Sequence, residues 1–244
     1  MAGGIGSRFW PMSTAENPKQ FHDILGTGES LLQQTFRRLS LLTDPEKILV
    51  VTHRKYEAQV AEQLPAMPHR NIILEPARRN TAPCIAYAAY RIQSEDPEAN
   101  ILIAPSDHLI SNESEFVRIA NLALNTAENS DFLLTLGIKP HRPDTGYGYI
   151  QFESQTEVDH EVKKVKTFTE KPNLEIAQQF LDSGDFLWNA GIFIWSLKTF
   201  KTELALHQAD LFQNFEQGSA LFGTEEENSF VNKIYPSCEN ESID

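Results

Sequence analysis

An α/β fold built on a doubly wound sheet is what the sequence predicts, and two observations carry it. Four short runs rich in Ile, Leu and Val, "KILVVT" (47–52), "NIILE" (71–75), "NILIAPSD" (100–107) and "FLLTLGI" (132–138), lack polar alternation. They read as strands buried on both faces of a parallel sheet. Segments of helical periodicity separate them, so the order is one of repeated βα units. That order implies a Rossmann-like sheet flanked by helices, with ligands held beyond the carboxyl ends of the strands.

Taken in order, the first helix covers 30–42 and opens on a capping box, Ser30-x-x-Gln33. The segment 81–94 places Ala82, Ile85, Ala86, Ala89 and Ile92 on one face, and 114–129 is similar. After about residue 145 the rhythm changes. "GYGYIQF" and "VKKVKTFTEKP" read as longer, partly alternating strands, a helix follows at 174–183, and "AGIFIWS" (190–196) is an apolar strand. This half is expected to supply a mixed, antiparallel part of the sheet and a lid over the site. The stretch 216–229 reads as an acidic, polar connection. The whole of 1–244 is expected to be one domain of two halves, near 1–140 and near 141–244.

Composition sets limits on function. A length of 244 residues with 41% hydrophobic and 23% charged residues is ample for a packed core. With 21 Lys and Arg against 34 Asp and Glu, the formal charge of −13 disfavours nucleic acid and anionic membrane as partners. An acidic chain that binds a phosphorylated ligand must gather its few cations locally, which singles out Arg8, Lys19, Arg78, Arg79 and Lys171. Cys84 and Cys238 are far apart in no metal-ligand spacing, as suits a reducing compartment. No run approaches the apolar length of a membrane span, so the cytoplasm is the expected location.

The chain opens on "MAGGIGSRFWPMSTAENPKQF". Gly3, Gly4 and Gly6 let backbone N–H groups approach phosphate oxygens closely, as in an anion-binding nest. No Gly-Lys-Ser/Thr follows, and Phe9 stands where a dinucleotide fingerprint has its third glycine, so neither of those loops is present. Arg8 can fork onto phosphate and Lys19 supplies a compact charge, although two solvated surface cations would look the same. In "APSDHLI", Asp107 falls just past a strand end, where it could hold Mg²⁺ or merely cap a turn. His108 reads as a turn or packing residue. In "EPARRNTAPC" (75–84), Asn80 and Thr81 suit a helix N-cap and Pro83 its first turn, while two arginines remain for base and phosphate recognition. "DTGYGYI", "FTEKP" and "WNAGIF" together describe a polyol phosphate pocket: Gly146 and Gly148 permit close backbone approach, Glu170 and Asn189 can bond hydroxyls, and Lys171 can neutralise phosphate.

The ordered set GGIGSRFWP, NPKQF, EPARRNTAP, PSDH, GYGYI, FTEKP and WNAGIF resembles the sugar-nucleotide pyrophosphorylases, and within them the mannose-1-phosphate guanylyltransferases. The resemblance implies a Rossmann-like nucleotidyltransferase fold with a mixed, mostly parallel central sheet, acting on GTP and mannose 1-phosphate with Mg²⁺ to give GDP-mannose and pyrophosphate. It leaves homo-oligomer formation open. By motif, Arg8 and Lys19 would be catalytic, stabilising the α-phosphate and the leaving pyrophosphate. Ala2, Gly3, Gly4, Gly6, Glu75, Asn80, Thr81, Ala82, Pro83 and Ser106 would line the nucleotide. Gly148, Glu170, Lys171 and Asn189 would hold the sugar phosphate. Asp107 and Asp244, the latter in the terminal "ENESID", would ligate the metal. The family also has an apolar strand leading into the glycine loop and continues past its second carboxylate, so a first strand is expected to be missing and both ends to be clipped. A sister enzyme using glucose 1-phosphate with TTP or UTP, and a non-catalytic nucleotide-sugar binding module, are the alternatives.

Overall fold

In the computed structural model, which describes residues 1–3, 10–159 and 161–244 and all of their side chains except those of 154–159, the chain forms two compact units. One comprises Met1–Phe132 with Trp195–Ile243, the other Leu133–Ile194 with Asp244. In chain order the elements are α1 (Leu31–Leu39), β1 (Val50–His53), α2 (Glu57–Gln63), β2 (Ile72–Glu75), α3 (Thr81–Gln93), β3 (Asn100–Ile103), α4 (Glu113–Glu128) and β4 (Leu134–Ile138). They continue with β5 (Tyr149–Asp159), β6 (Val162–Thr169), α5 (Leu174–Ser183), β7 (Phe186–Ser196), α6 (Leu197–His207), α7 (Ala209–Glu216) and α8 (Glu227–Ile234). The second unit thus begins at Leu133, and the chain from Trp195 to Ile243 returns to the first.

In the first unit, β1 and β2 pair in parallel, Val50 opposite Ile72 and His53 opposite Glu75. The capping box at the start of α1 is formed reciprocally: the Gln33 N–H donates to Ser30 Oγ at 3.2 Å and the Ser30 N–H to Gln33 Oε1 at 2.9 Å. β1 begins later than its apolar run because Pro45–Lys47 makes a 3-10 turn, with the Asp44 carboxylate accepting from the Glu46 N–H. β3 ends at Ile103, shortly before Pro105, which has no N–H to give to a ladder. Within this unit Met1 and Ala2 bridge two elements. The Ala2 N–H donates to Val51 O at 2.8 Å, the Met1 ammonium to Ala104 O at 2.9 Å, and the Ser106 N–H to Met1 O at 3.0 Å. A cavity of about 650 Å³ runs on from Met1, lined by Val50 and Val51 of β1, Ile101 and Ile103 of β3, Leu32 of α1 and Ile85 of α3.

The stretch 216–229 is more than a polar connection. Phe222 is 3% exposed and lies 6.0 Å from the Phe215 ring, and Glu227 accepts from Tyr87 Oη at 2.8 Å and from the Gly223 N–H at 2.7 Å. Two buried groups among many charged ones leave no periodic mark, which is why the composition misleads there.

In the second unit the pairing is antiparallel: β5 with β6, β5 with β7, and β4 with β7. β4 is therefore not a parallel strand buried on both faces. Leu134 faces Ile194 and Ile138 faces Trp188 across an irregular register, and Ile138 is 51% exposed. A short apolar run states that a strand forms but not its direction. α5 starts at Asn173, whose Oδ1 accepts from the Ile176 N–H at 2.9 Å, and stops at Gly184, left-handed at φ 76°. Its Ala177 and Phe180 pack on Tyr149, Phe186 and Trp188. Among the described residues no helix is long and apolar enough to cross a membrane.

Candidate functional site

Gly4, Gly6 and Arg8 lie outside the described residues. What precedes them is held firmly. The Ala2 carbonyl accepts from Gln20 Nε2 at 2.9 Å and from Thr52 Oγ1 at 3.0 Å, so the start of the glycine loop is pinned to β1 and to the "NPKQF" segment together. A Cβ on Gly3 would stand 3.2 Å from Glu75 Oε2. Gly3 thus lets the backbone pass against a buried carboxylate at the end of β2.

Lys19 and Asp107 meet. The ammonium lies 2.6 Å from Asp107 Oδ2, with both side chains about a quarter exposed. Pro18 and the 3-10 turn Lys19–Phe21 present the lysine, and the turn after β3 presents the aspartate. Ser106, beside it, is buried and bonded through its N–H to Met1. Burial pushes the His108 imidazole below its ordinary range. Asp107 offers a hard carboxylate oxygen, the donor class Mg²⁺ takes, at a partly open position already balanced by a cation. Among the described residues no three His, Cys, Asp or Glu side chains gather as a metal site.

The "RRNTAP" segment starts α3. Asn80 is its N-cap at φ 66° and ψ −160°, a region that costs a non-glycine residue about 1–3 kcal/mol, and its Oδ1 accepts from the Thr81 N–H at 3.0 Å. Thr81 Oγ1 accepts from the Ile243 N–H at 2.9 Å, and the Ala82 N–H donates to Glu241 O at 3.1 Å. The terminal "ESI" is therefore docked on the first turn of α3, where helix N–H groups need acceptors. Ala82 and Pro83 are buried in that turn. Arg78 Nη2 donates to Tyr56 Oη at 3.4 Å and Arg79 to Pro236 O, so both arginines are engaged by the protein itself.

In the second unit the sugar-phosphate set converges. A Cβ on Gly148 would lie 3.0 Å from Glu170 Oε2 and 3.6 Å from Asn189 Cβ, and the Asn189 N–H donates to Gly148 O at 2.8 Å. Lys171, at φ 39°, pairs with Glu170. Asn189 Nδ2 donates to Asp244 Oδ2 at 3.3 Å, and Asn189 Oδ1 accepts from the Gly191 N–H at 2.8 Å. Beside Asn189, Trp188 is ringed by His141, Tyr147 and Arg142 at 5.0, 5.1 and 5.2 Å. Arg142 also forks onto Asp144 Oδ2 at 3.0 and 2.7 Å. The Gly146 N–H, and after it Arg142, hold the Asp144 carboxyl below the usual range.

Three features of these units lie outside the residues predicted from the sequence. Gln20 is a buried strut under the loop, Tyr235 donates to Glu75 Oε1, and the Arg142 and Trp188 pair shapes the wall beside Asn189. Gln20 alone had a signal, as the polar residue next to Lys19 in "NPKQF".

A family model described as nucleotidyl transferase matches residues 1–221. The chain is 38% identical over 250 residues to a mannose-1-phosphate guanylyltransferase of Klebsiella pneumoniae, covering 100% of this chain and 52% of that protein. It is 35% identical over 249 residues to the alginate biosynthesis protein AlgA of Pseudomonas aeruginosa, covering 100% and 51%. It thus spans about half the length of these curated relatives. Among solved structures, a mannose-1-phosphate geranyltransferase from Thermus thermophilus superposes with a TM-score of 0.87 at 29% identity, covering 100% of this chain and 68% of that one. A mannose-6-phosphate isomerase from Helicobacter pylori gives 0.75 at 28%, covering 94% and 87%.

Proposed function

Because the chain belongs to the nucleotidyl transferase family, we propose that it makes GDP-mannose and pyrophosphate from GTP and mannose 1-phosphate. A phosphate oxygen of mannose 1-phosphate attacks the α-phosphorus of GTP in line. The new P–O bond forms as the bond from the α-phosphorus to the bridging oxygen breaks, and the electron pair leaves with pyrophosphate. No protein nucleophile is needed, so the protein's task is to position the reactants and neutralise charge.

The observation that carries this reading is the Lys19–Asp107 contact at 2.6 Å, because it sets a compact cation and a metal-binding carboxylate side by side. Lys19 is the group that meets negative charge developing on the leaving pyrophosphate, as Arg8 is at the α-phosphate. Asp107 is the residue that would hold Mg²⁺, which when bound polarises phosphate oxygens and offsets their charge. Asp244 keeps its assignment as the second carboxylate on resemblance. Ala2, Gly3, Gly4 and Gly6 supply backbone to the nucleotide, with Glu75, Ser106 and the Asn80–Pro83 turn alongside. Glu170 and Asn189 bond mannose hydroxyls next to Gly148, and Lys171 neutralises the sugar phosphate.

Isotope transfer tests the proposal. With GTP labelled at the α-phosphate, mannose 1-phosphate and Mg²⁺, the label is expected in GDP-mannose. Label recovered only in GTP or in GMP would overturn it.

A further inference from the structure

Tyr235 stands at the start of a 3-10 turn, Tyr235–Ser237, directly after α8 and 160 residues from Glu75 in sequence, yet its hydroxyl donates to Glu75 Oε1 at 2.5 Å. The phenol is fully buried. Its ring lies 6.3 Å from both Tyr87 and Phe215, so packing fixes the direction in which the hydroxyl points. Glu75 is itself 7% exposed at the last position of β2. With Oε1 held, Oε2 faces the start of the glycine loop, 3.2 Å from where a Gly3 Cβ would be. Among the described residues no hydrogen-bond donor reaches that second oxygen. With one oxygen tied by the phenol and the other turned to the start of the glycine loop, the carboxylate keeps an acceptor oxygen for a ligand.

We infer that Tyr235 is a positioning residue for the nucleotide: its hydroxyl fixes the Glu75 carboxylate so that Oε2 is offered as an acceptor to an N–H or O–H group of the bound nucleotide. The inference rests on the nucleotide-binding reading given above. Tyr235 touches no ligand in this account and acts only through Glu75. The charged and titratable groups facing that carboxylate are the Met1 ammonium, Arg78, Cys84 and Tyr235. None but the tyrosine makes a hydrogen bond to it among the described residues.

A double-mutant cycle read by calorimetric titration with GTP in metal-free buffer tests this. Tyr235→Phe removes only the hydroxyl and is expected to weaken GTP binding about tenfold, as does loss of a hydrogen bond to a charged group. Glu75→Gln is expected to weaken binding by itself, and adding Tyr235→Phe to it is expected to cost nothing more, because the tyrosine acts through the carboxylate. Independent, additive losses would overturn the positioning role, as would a Tyr235→Phe protein that binds GTP like the wild type. Should Tyr235→Phe lose its melting transition, Glu75→Gln still decides: it keeps an acceptor for the phenol, and GTP binding unchanged from wild type would overturn the inference. A wild-type chain that binds no GTP would instead refute the nucleotide-binding reading, and that failure shows in the wild-type arm alone.

Discussion

At the scale of single residues, Lys19 and Asp107 divide the work of charge. Their 2.6 Å contact leaves the aspartate neutralised by a side chain that a bound phosphate would also attract. Asp107→Asn is expected to leave metal-free GTP binding intact while lowering Mg²⁺-dependent turnover by about 10²–10³-fold. Equal turnover would remove Asp107 from the site. Glu75 gives a second test, through pH. Burial raises its carboxyl above the ordinary value of 4.5, with the Tyr235 hydroxyl, the Met1 ammonium and Arg78 opposing. In the window above that ordinary value the folded protein keeps a proton that the unfolded chain has released, so stability falls as pH rises toward the raised value. Glu75→Gln cannot ionise and escapes the fall. Its melting temperature relative to wild type is expected to climb as pH rises above the ordinary value of 4.5, whereas parallel curves would contradict the raised carboxyl. Lys19 and Asp107 were legible in the sequence because each sits in a short motif at a strand end or after a proline. Tyr235 was not, because its partner is 160 residues away and a buried phenol looks like any core aromatic.

At the scale of elements, local chemistry decided what could be read. α5 runs from Leu174 to Ser183, as its Asn173 cap and Gly184 stop require, and α3 starts at Thr81 behind Asn80 for the same reason. β4 escaped in its direction, which is set by pairing to β7 and not by its own residues. Gly137 marks that pairing: a Cβ there would stand 2.5 Å from Leu187 Cδ1 and 2.8 Å from Leu187 Cβ, and the backbone fixes that Cβ so that no rotamer change moves it away. Gly137→Ala is expected to destabilise the second unit by about 1–3 kcal/mol in denaturant melts. Gly148→Ala meets instead the flexible tip of Glu170 at 3.0 Å. It is expected to fold normally yet bind mannose 1-phosphate about tenfold more weakly, because the added methyl displaces the carboxylate proposed to bond a sugar hydroxyl. A normal affinity would move Glu170 out of the sugar site.

At the scale of the whole molecule, a net charge of −13 disfavours anionic ligands, so the proposed binding of GTP and mannose 1-phosphate would depend on the few cations the motifs collect. That economy is what singles out the candidate site residues in the sequence, whereas the return of the chain from Trp195 to the first unit had no sequence mark. The cavity of about 650 Å³ lined by β1 and β3 is likewise a property of packing between distant segments. The reaction itself is decided by pyrophosphate release across substrate pairs. With Mg²⁺, GTP and mannose 1-phosphate are expected to release pyrophosphate and yield GDP-mannose. Release from TTP or UTP with glucose 1-phosphate, and none from the GTP pair, would contradict the proposed activity.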